Sequence, residues 1–178
     1  MPVADFGNSR ALAFPFHFEC SVVVKAPAEA VFSRLDDPRL LSAHMSGSSW
    51  MMAGSRMALE LDASQGRAVG AAIRMGGRVL GIALSLDEIV TERNPPRRKV
   101  WETTGTPKLL VIGHYRMGFD LTPQGNSSLL RVFIDWALPE TRPARWLGRA
   151  FGGLYARWCT KRMAGDAEEH FRTSGQGR

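Results

Sequence analysis

The stretch VVVKAPAEAVFSRLDDPRLLSAHM (residues 22–45) decides how this 178-residue chain folds. It leaves a β-branched run, passes Ala26-Pro27, and enters two short helical segments divided by Asp37-Pro38. Just upstream, HFECSVVVK (17–25) sets Phe18, Cys20, Val22 and Val24 against Glu19, Ser21 and Lys25, the period of a strand with one wet face. Pro27 stops that ladder, since it has no N–H to give, and its fixed φ suits a first helical turn. Ala30, Val31, Phe32 and Leu35 then recur at helical spacing. Asp36 or Asp37 caps a second helix with Pro38 at its first position, carrying Leu40, Leu41 and Met45.

Beyond residue 50 the texture changes. MALELDA (57–63), GAAIRM (70–75), VLGIALSLDEIVTE (79–92), RRKVWETTG (97–105), IGHYRMGFDLT (112–122) and SLLRVFIDWAL (128–138) all read as strands. Ser64-Gln65-Gly66, Gly76-Gly77, Asn94-Pro95-Pro96 and Gln124-Gly125-Asn126 supply the turn signals between them. Connections this short make neighbours antiparallel, because a parallel crossover needs about a dozen residues or more. After Pro139, Thr141 caps a helix with Pro143 in its first turn, and the pattern then runs to Phe171. The four glycines in that helix weaken it, so it needs tertiary packing to hold. The expected fold is therefore α+β: a curved seven-stranded antiparallel sheet wrapped around one long C-terminal helix, with two short helices after the first strand. The two short helices carry the chain across one end of the sheet, where Val31, Phe32, Leu40 and Leu41 close it. Residues 1–15 read as an irregular extension, 16–172 as a single domain, and 173–178 as a loose tail.

Composition narrows the function classes. The 44% hydrophobic and 22% charged fractions are those of a globular protein, and no window approaches the roughly 20 apolar residues of a membrane span. The first residues carry an early acid and no apolar run, so no signal peptide is read and the expected location is cytoplasmic. Cys20 and Cys159 lack metal-ligand spacing and are expected as two buried thiols. The net charge is +6, and eight basic against three acidic residues from Arg142 onward supply +5 of it. That segment either meets something anionic or presents a basic outer face.

The APAEAVFSRLDDPRLLSAHM opening, the TERNPPRRKVWETTG turn and strand, and the RWLGRAFGGLYARWCTKRMAGDAEEHF ending resemble the START-like, or SRPBCC, superfamily, most of all its polyketide cyclase/dehydrase and lipid-transport branch. The likeness runs from about Phe18 to Phe171 and rests on the order of elements. It implies a helix-grip fold with an apolar cavity between sheet and long helix, and members that bind lipids, sterols, hormones or polyketides, some of them enzymes.

Strand alternation supplies the cavity wall. Tyr115, Met117, Phe119 and Leu121 oppose His114, Arg116 and Asp120; Leu130, Val132, Ile134, Trp136 and Leu138 oppose Arg131 and Asp135; Met57, Leu59 and Leu61 oppose Glu60 and Asp62; Leu80, Ile82, Leu84 and Leu86 form a further apolar row. On the long helix, Leu147, Phe151, Leu154, Tyr155 and Trp158 form a bulky arc expected to pack on the sheet. Beside it lies a small-residue strip of Gly148, Gly152, Ala156, Cys159 and Met163. The candidate ligand-binding residues are Met57, Leu59, Leu84, Trp101, Tyr115, Met117, Phe119, Ile134, Trp136, Phe151, Gly152 and Tyr155, with no cofactor and no metal. Trp101 is read as inward and Glu102 as outward, because burying a lone acid is costly. His114 is read as a surface residue on the outer face, and Arg74 and Arg78 as charges at a hairpin end.

The leading reading is a binder of a hydrophobic small molecule, lipid-like or polyketide-like. A cyclase or dehydrase acting on an aromatic or polyketide substrate is the second, and needs at least one ionisable group inside; Glu102 and His44 are its candidates. The third docks on an anionic membrane surface or a protein partner through Arg149, Arg157 and Lys161, together with Arg97-Arg98-Lys99. No nucleic-acid partner is expected, since the aromatics face inward and no reading motif is present. Ligand identity and oligomeric state stay open.

Overall fold

A computed structural model describes residues 14–41, 56–79 and 82–174. The elements are β1 (Phe16–Val24), α1 (Ala28–Leu35), α2 (Pro38–Leu41), β2 (Arg56–Leu61), β3 (Ala72–Val79), β4 (Ile82–Asn94), β5 (Arg98–Lys108), β6 (Tyr115–Gln124), β7 (Ser127–Trp136) and α3 (Arg142–Ser174). All seven strands form one antiparallel sheet in the order β1-β7-β6-β5-β4-β3-β2. This is the helix-grip architecture, with α3 lying over the β1 and β7 edge of the sheet. His44, Leu80 and the Met57 side chain fall outside the described residues.

The turn chemistry explains the opening stretch. Pro27, extended at φ −64° and ψ 151°, is the last residue before α1, and its carbonyl accepts from Ala30 and Val31. α1 buries Ala28, Val31, Phe32 and Leu35 on one side. Asp37 caps α2, its Oδ1 accepting from the Arg39 N–H at 2.9 Å. Asp36 is thereby free for another task. Its carboxylate takes Arg93 through Nη2 at 2.8 Å and Lys99 Nζ at 2.8 Å, and its own carbonyl accepts from Lys99 as well. The third Lys99 bond goes to the Gly66 carbonyl at 2.9 Å, so one ammonium joins β5, the α1–α2 junction and the β2–β3 turn. Burial by itself would raise the Asp36 carboxyl, but the hydrogen bonds from Arg93 and Lys99 win and hold it below the usual carboxylate range.

Two expectations about local structure need correction. Gly76-Gly77 is not a turn: both residues sit inside β3, paired with Ala58 and Met57 on one side and with Ser85 and Leu84 on the other. Glycine tolerates either conformation, and ladder pairing with β2 and β4 on both sides holds the pair extended. Arg74 is accordingly a mid-strand surface residue, 3.6 Å from Asp87 across the ladder. The second correction concerns α3. The bulky arc does not pack on the sheet: Leu147, Phe151 and Leu154 are exposed, and the strip Gly148, Gly152, Ala156, Cys159 and Met163 is buried. Size misled the reading, because the constraint here is backbone approach. A Cβ at Gly148 would stand 2.8 Å from Pro139 and one at Gly152 2.9 Å from the Val111 carbonyl oxygen. Only glycine lets the helix lie that close to the segment between β5 and β6.

Replacing Lys99 with Met strands the Asp36 and Gly66 carbonyls, and loss of one partner of a buried ion pair costs about 3–5 kcal/mol. Urea denaturation of Lys99→Met is expected to show a loss of that order, and Lys99→Met/Asp36→Leu to recover little of it, because both carbonyls stay unpaired and Arg93 loses its carboxylate.

Candidate functional site

Pairing register sorts the inner face into rows. Glu88 of β4 stands opposite Thr103 of β5, and Tyr115 of β6 opposite Trp136 of β7, which in turn pairs with Phe16 of β1. The Phe16 and Trp136 rings stack at 5.6 Å. One step along, Val90, Trp101, Met117, Ile134 and Phe18 form the next row. Trp101, Tyr115, Met117, Phe119, Ile134 and Trp136 belong to one continuous buried cluster, with Leu59, Tyr155 and Trp158 packed at its margin. Gly152 reaches the same place from above, a Cβ there coming within 3.4 Å of the Trp136 indole nitrogen. Leu84 is half-buried and not part of that cluster, and Phe151 is on the outer surface, away from the position expected for a ligand contact. Phe119 is wholly buried against Phe32, ring to ring at 5.6 Å.

The residue that gives this wall its chemistry is Glu88, which the sequence reading passed over. Its side chain is buried, and the Tyr115 hydroxyl donates a short hydrogen bond to it. The Trp101 indole is a second hydrogen-bond partner. Tyr115 is itself fixed by Thr103, whose hydroxyl oxygen accepts from the Tyr115 N–H at 3.1 Å. From the helix, Tyr155 and Cys159 stand close enough for the Glu88 charge to act on both. The signal was present in parity: Leu84, Leu86, Glu88 and Val90 fall on alternate positions, so the acid continues the apolar row. Glu102, the acid singled out instead, faces the other way, opposite Ile89 and Arg116 and half-buried. His114 is also half-buried, its ring nitrogen 3.2 Å from the Thr103 hydroxyl, and so is not the plain surface residue expected.

Burial dominates the electrostatics. It pushes the Glu88 carboxyl up to about 7, against the pull of the Tyr115 and Trp101 hydrogen bonds. Burial also pushes both tyrosine hydroxyls well above their ordinary value, so Tyr115 and Tyr155 stay protonated donors. The Cys159 thiol is pushed up to about 12 by burial and by the nearby Glu88 charge, which makes it a thiol and a poor nucleophile. At neutral pH the site therefore offers a carboxyl poised between its two forms, beside phenol and indole donors, in an otherwise apolar wall.

Of the basic segment Arg97-Arg98-Lys99, Arg97 is the exposed member. Lys99 is buried, and Arg98 is bound to Glu92 at 2.8 Å and to Asp120 at 2.5 Å. Among the described residues no helix is long and apolar enough to cross a membrane.

A family described as polyketide cyclase / dehydrase and lipid transport matches residues 15–169. Solved structures share the fold at low identity. The Zhui aromatase/cyclase from a Streptomyces species is 18% identical, with a TM-score of 0.61 and coverage of 90% of this chain and 98% of that one. Norcoclaurine synthase from Thalictrum flavum is 15% identical, with a TM-score of 0.59 and coverage of 86% and 84%. Ara h 8.0201 is 12% identical, with a TM-score of 0.58 and coverage of 85% and 97%. No curated protein sequence matches.

The sign of the Glu88 contribution follows from its raised pKa. The native carboxyl holds its proton up to about 7, whereas the unfolded one releases it near 4.5. Its stabilising contribution is thus complete below the lower value and lost as pH rises through the upper one, on the order of 3 kcal/mol in all. The denaturation midpoint of Glu88→Gln, measured against wild type, is expected to climb in the variant's favour between pH 5 and pH 9. Parallel curves would remove this assignment.

Proposed function

The chain belongs to the polyketide cyclase / dehydrase and lipid transport family, and on that premise we propose that it binds a hydrophobic small molecule, lipid-like or polyketide-like, between the sheet and α3. Family and fold support hydrophobic-ligand binding or a polyketide-cyclase-like role. The observation that carries the finer reading is the buried Glu88–Tyr115 pair set into an aliphatic and aromatic wall. Ligand sites are mostly apolar with a few convergent polar groups, and this wall has that make-up. Trp101, Met117, Ile134, Trp136 and Tyr155 supply apolar contact, with Leu59 at the margin. Glu88 and Tyr115 hold a ketone or phenol oxygen by hydrogen bonds, and so orient a planar ligand whose remainder makes no directional contact.

Quenching of the intrinsic tryptophan fluorescence tests this with two probes of one shape, naphthalene and 2-naphthol. Wild type is expected to prefer the naphthol, and Glu88→Leu to lose that preference by about tenfold while binding naphthalene unchanged, the size of one net hydrogen bond. Failure to bind either compound, or an unaltered preference in the variant, defeats the reading.

A second reading, a proton-transfer enzyme of the cyclase or dehydrase type, gains from the same carboxyl. A general base works best with a pKa near the operating pH, and Glu88 lies at about 7 inside an apolar wall. As a base it takes a proton from the carbon next to a bound ketone, while Tyr115 donates to the enolate oxygen that forms. Exchange of that carbon-bound hydrogen for deuterium, followed by NMR with 2-tetralone, is expected to rise as pH passes through about 7 and to vanish in Glu88→Gln. Equal exchange in the variant would exclude Glu88 as the base.

A further inference from the structure

The outer surface of α3 has a composition that neither the sheet nor the buried site requires. Trp146 is 70% exposed, Leu154 56% and Phe151 49%, and Leu147 lies in the same strip one turn before Phe151. Leu147, Phe151 and Leu154 recur at the four- and three-residue intervals that align side chains along one helix side. A monomer that shows such a contiguous apolar strip to water has a partner for it. Charge identifies which. The helix carries no acidic residue between its start and Asp166, while Arg142, Arg145, Arg149, Arg157 and Lys161 are all exposed.

We infer that this half of α3 lies on an anionic phospholipid bilayer, with the Trp146–Leu154 strip in the acyl boundary and the flanking guanidinium groups among the headgroup phosphates. An apolar strip edged by Arg and Lys, with Trp at one end, is the make-up of a helix that rests in the interface plane without spanning it. A second copy is disfavoured by the same charges, because a two-fold contact would set the arginines of one face against those of the other. The inference stands on the outer surface alone and does not depend on what the Glu88 site binds. The buried side of the same helix carries Cys159, and Tyr155 packs at the margin of the Glu88 cluster, so docking sets the inner site about one helix diameter from the acyl chains.

Co-sedimentation with vesicles tests it, using phosphatidylcholine alone and phosphatidylcholine mixed with phosphatidylglycerol. The intact chain is expected to bind the mixed vesicles at low salt, to bind the neutral ones at least tenfold less, and to lose at least tenfold in affinity at high salt. Two surface variants, Arg145→Gln/Arg149→Gln and Trp146→Ser/Phe151→Ser, are each expected to bind at least tenfold more weakly while unfolding at the wild-type temperature. No binding to mixed vesicles at low salt, equal binding to neutral ones, or binding unaffected by either variant overturns the inference. A concentration-dependent dimer in light scattering that is lost in Trp146→Ser/Phe151→Ser would assign the strip to a second copy, and overturns it as well.

Discussion

The Lys99 ammonium is held by three oxygens with almost no access to water, and those oxygens belong to two separate loops. A charge taken that far out of solvent is costly unless its hydrogen bonds are complete, and here they are. Asp36 is what completes them, and it is available because Asp37 has taken over the capping of α2. The Asp36-Asp37-Pro38 sequence thus divides two tasks between adjacent acids. Asp37 starts α2, and Asp36, which ends α1, reaches across to the sheet. Arg93 shares the load and lies over the Phe32 ring at 5.5 Å, so the polar anchor and the apolar face of α1 are seated together. With that junction in place, Phe32 meets Phe119 and the end of the sheet is closed.

Much of this architecture could be read from period alone. The two-residue alternation of β6 and β7 gave the inward sets Tyr115–Leu121 and Leu130–Trp136, although Phe133 and Asp135 on the other face of β7 are buried as well. Proline and aspartate placed the short helices for reasons of backbone chemistry that hold in any context. The errors have a common source. Gly76-Gly77 and the bulky arc of α3 were judged by what residues usually do, whereas tertiary contacts set both. Gly148 and Gly152 looked like weak points of a helix, yet they are where another backbone passes within van der Waals distance. That information is not local. Glu88 is different: its parity was visible, but an acid in an apolar row reads as an exception until its partners Tyr115 and Trp101, on two other strands, are known.

The site and the core are built from the same residues, which is why sequence similarity to proteins of this fold can be so low while the shape persists. In this chain the polar groups of the described inner face include a carboxyl, a phenol and an indole on three neighbouring strands, with a second phenol and a thiol contributed from above. Burial is the term that decides their state: it keeps the phenols and the thiol protonated, and it leaves only the carboxyl able to change form near neutral pH.

The long helix rests chiefly on β1 and β7, and among the described strands β1 is an edge strand paired with β7. The first strand therefore waits, with neither side of its backbone paired into the sheet, until the last strand has been synthesised. Ribosomal synthesis then produces the covering helix last. During that interval the aromatic inner surface of the growing sheet has no roof. Chain closure is a late event dominated by contacts distant in sequence, the regime in which folding is slow and exposed strands stick to one another. A nascent chain of this design spends its longest vulnerable period just before completion, when helper proteins that shield apolar surface have the most to do.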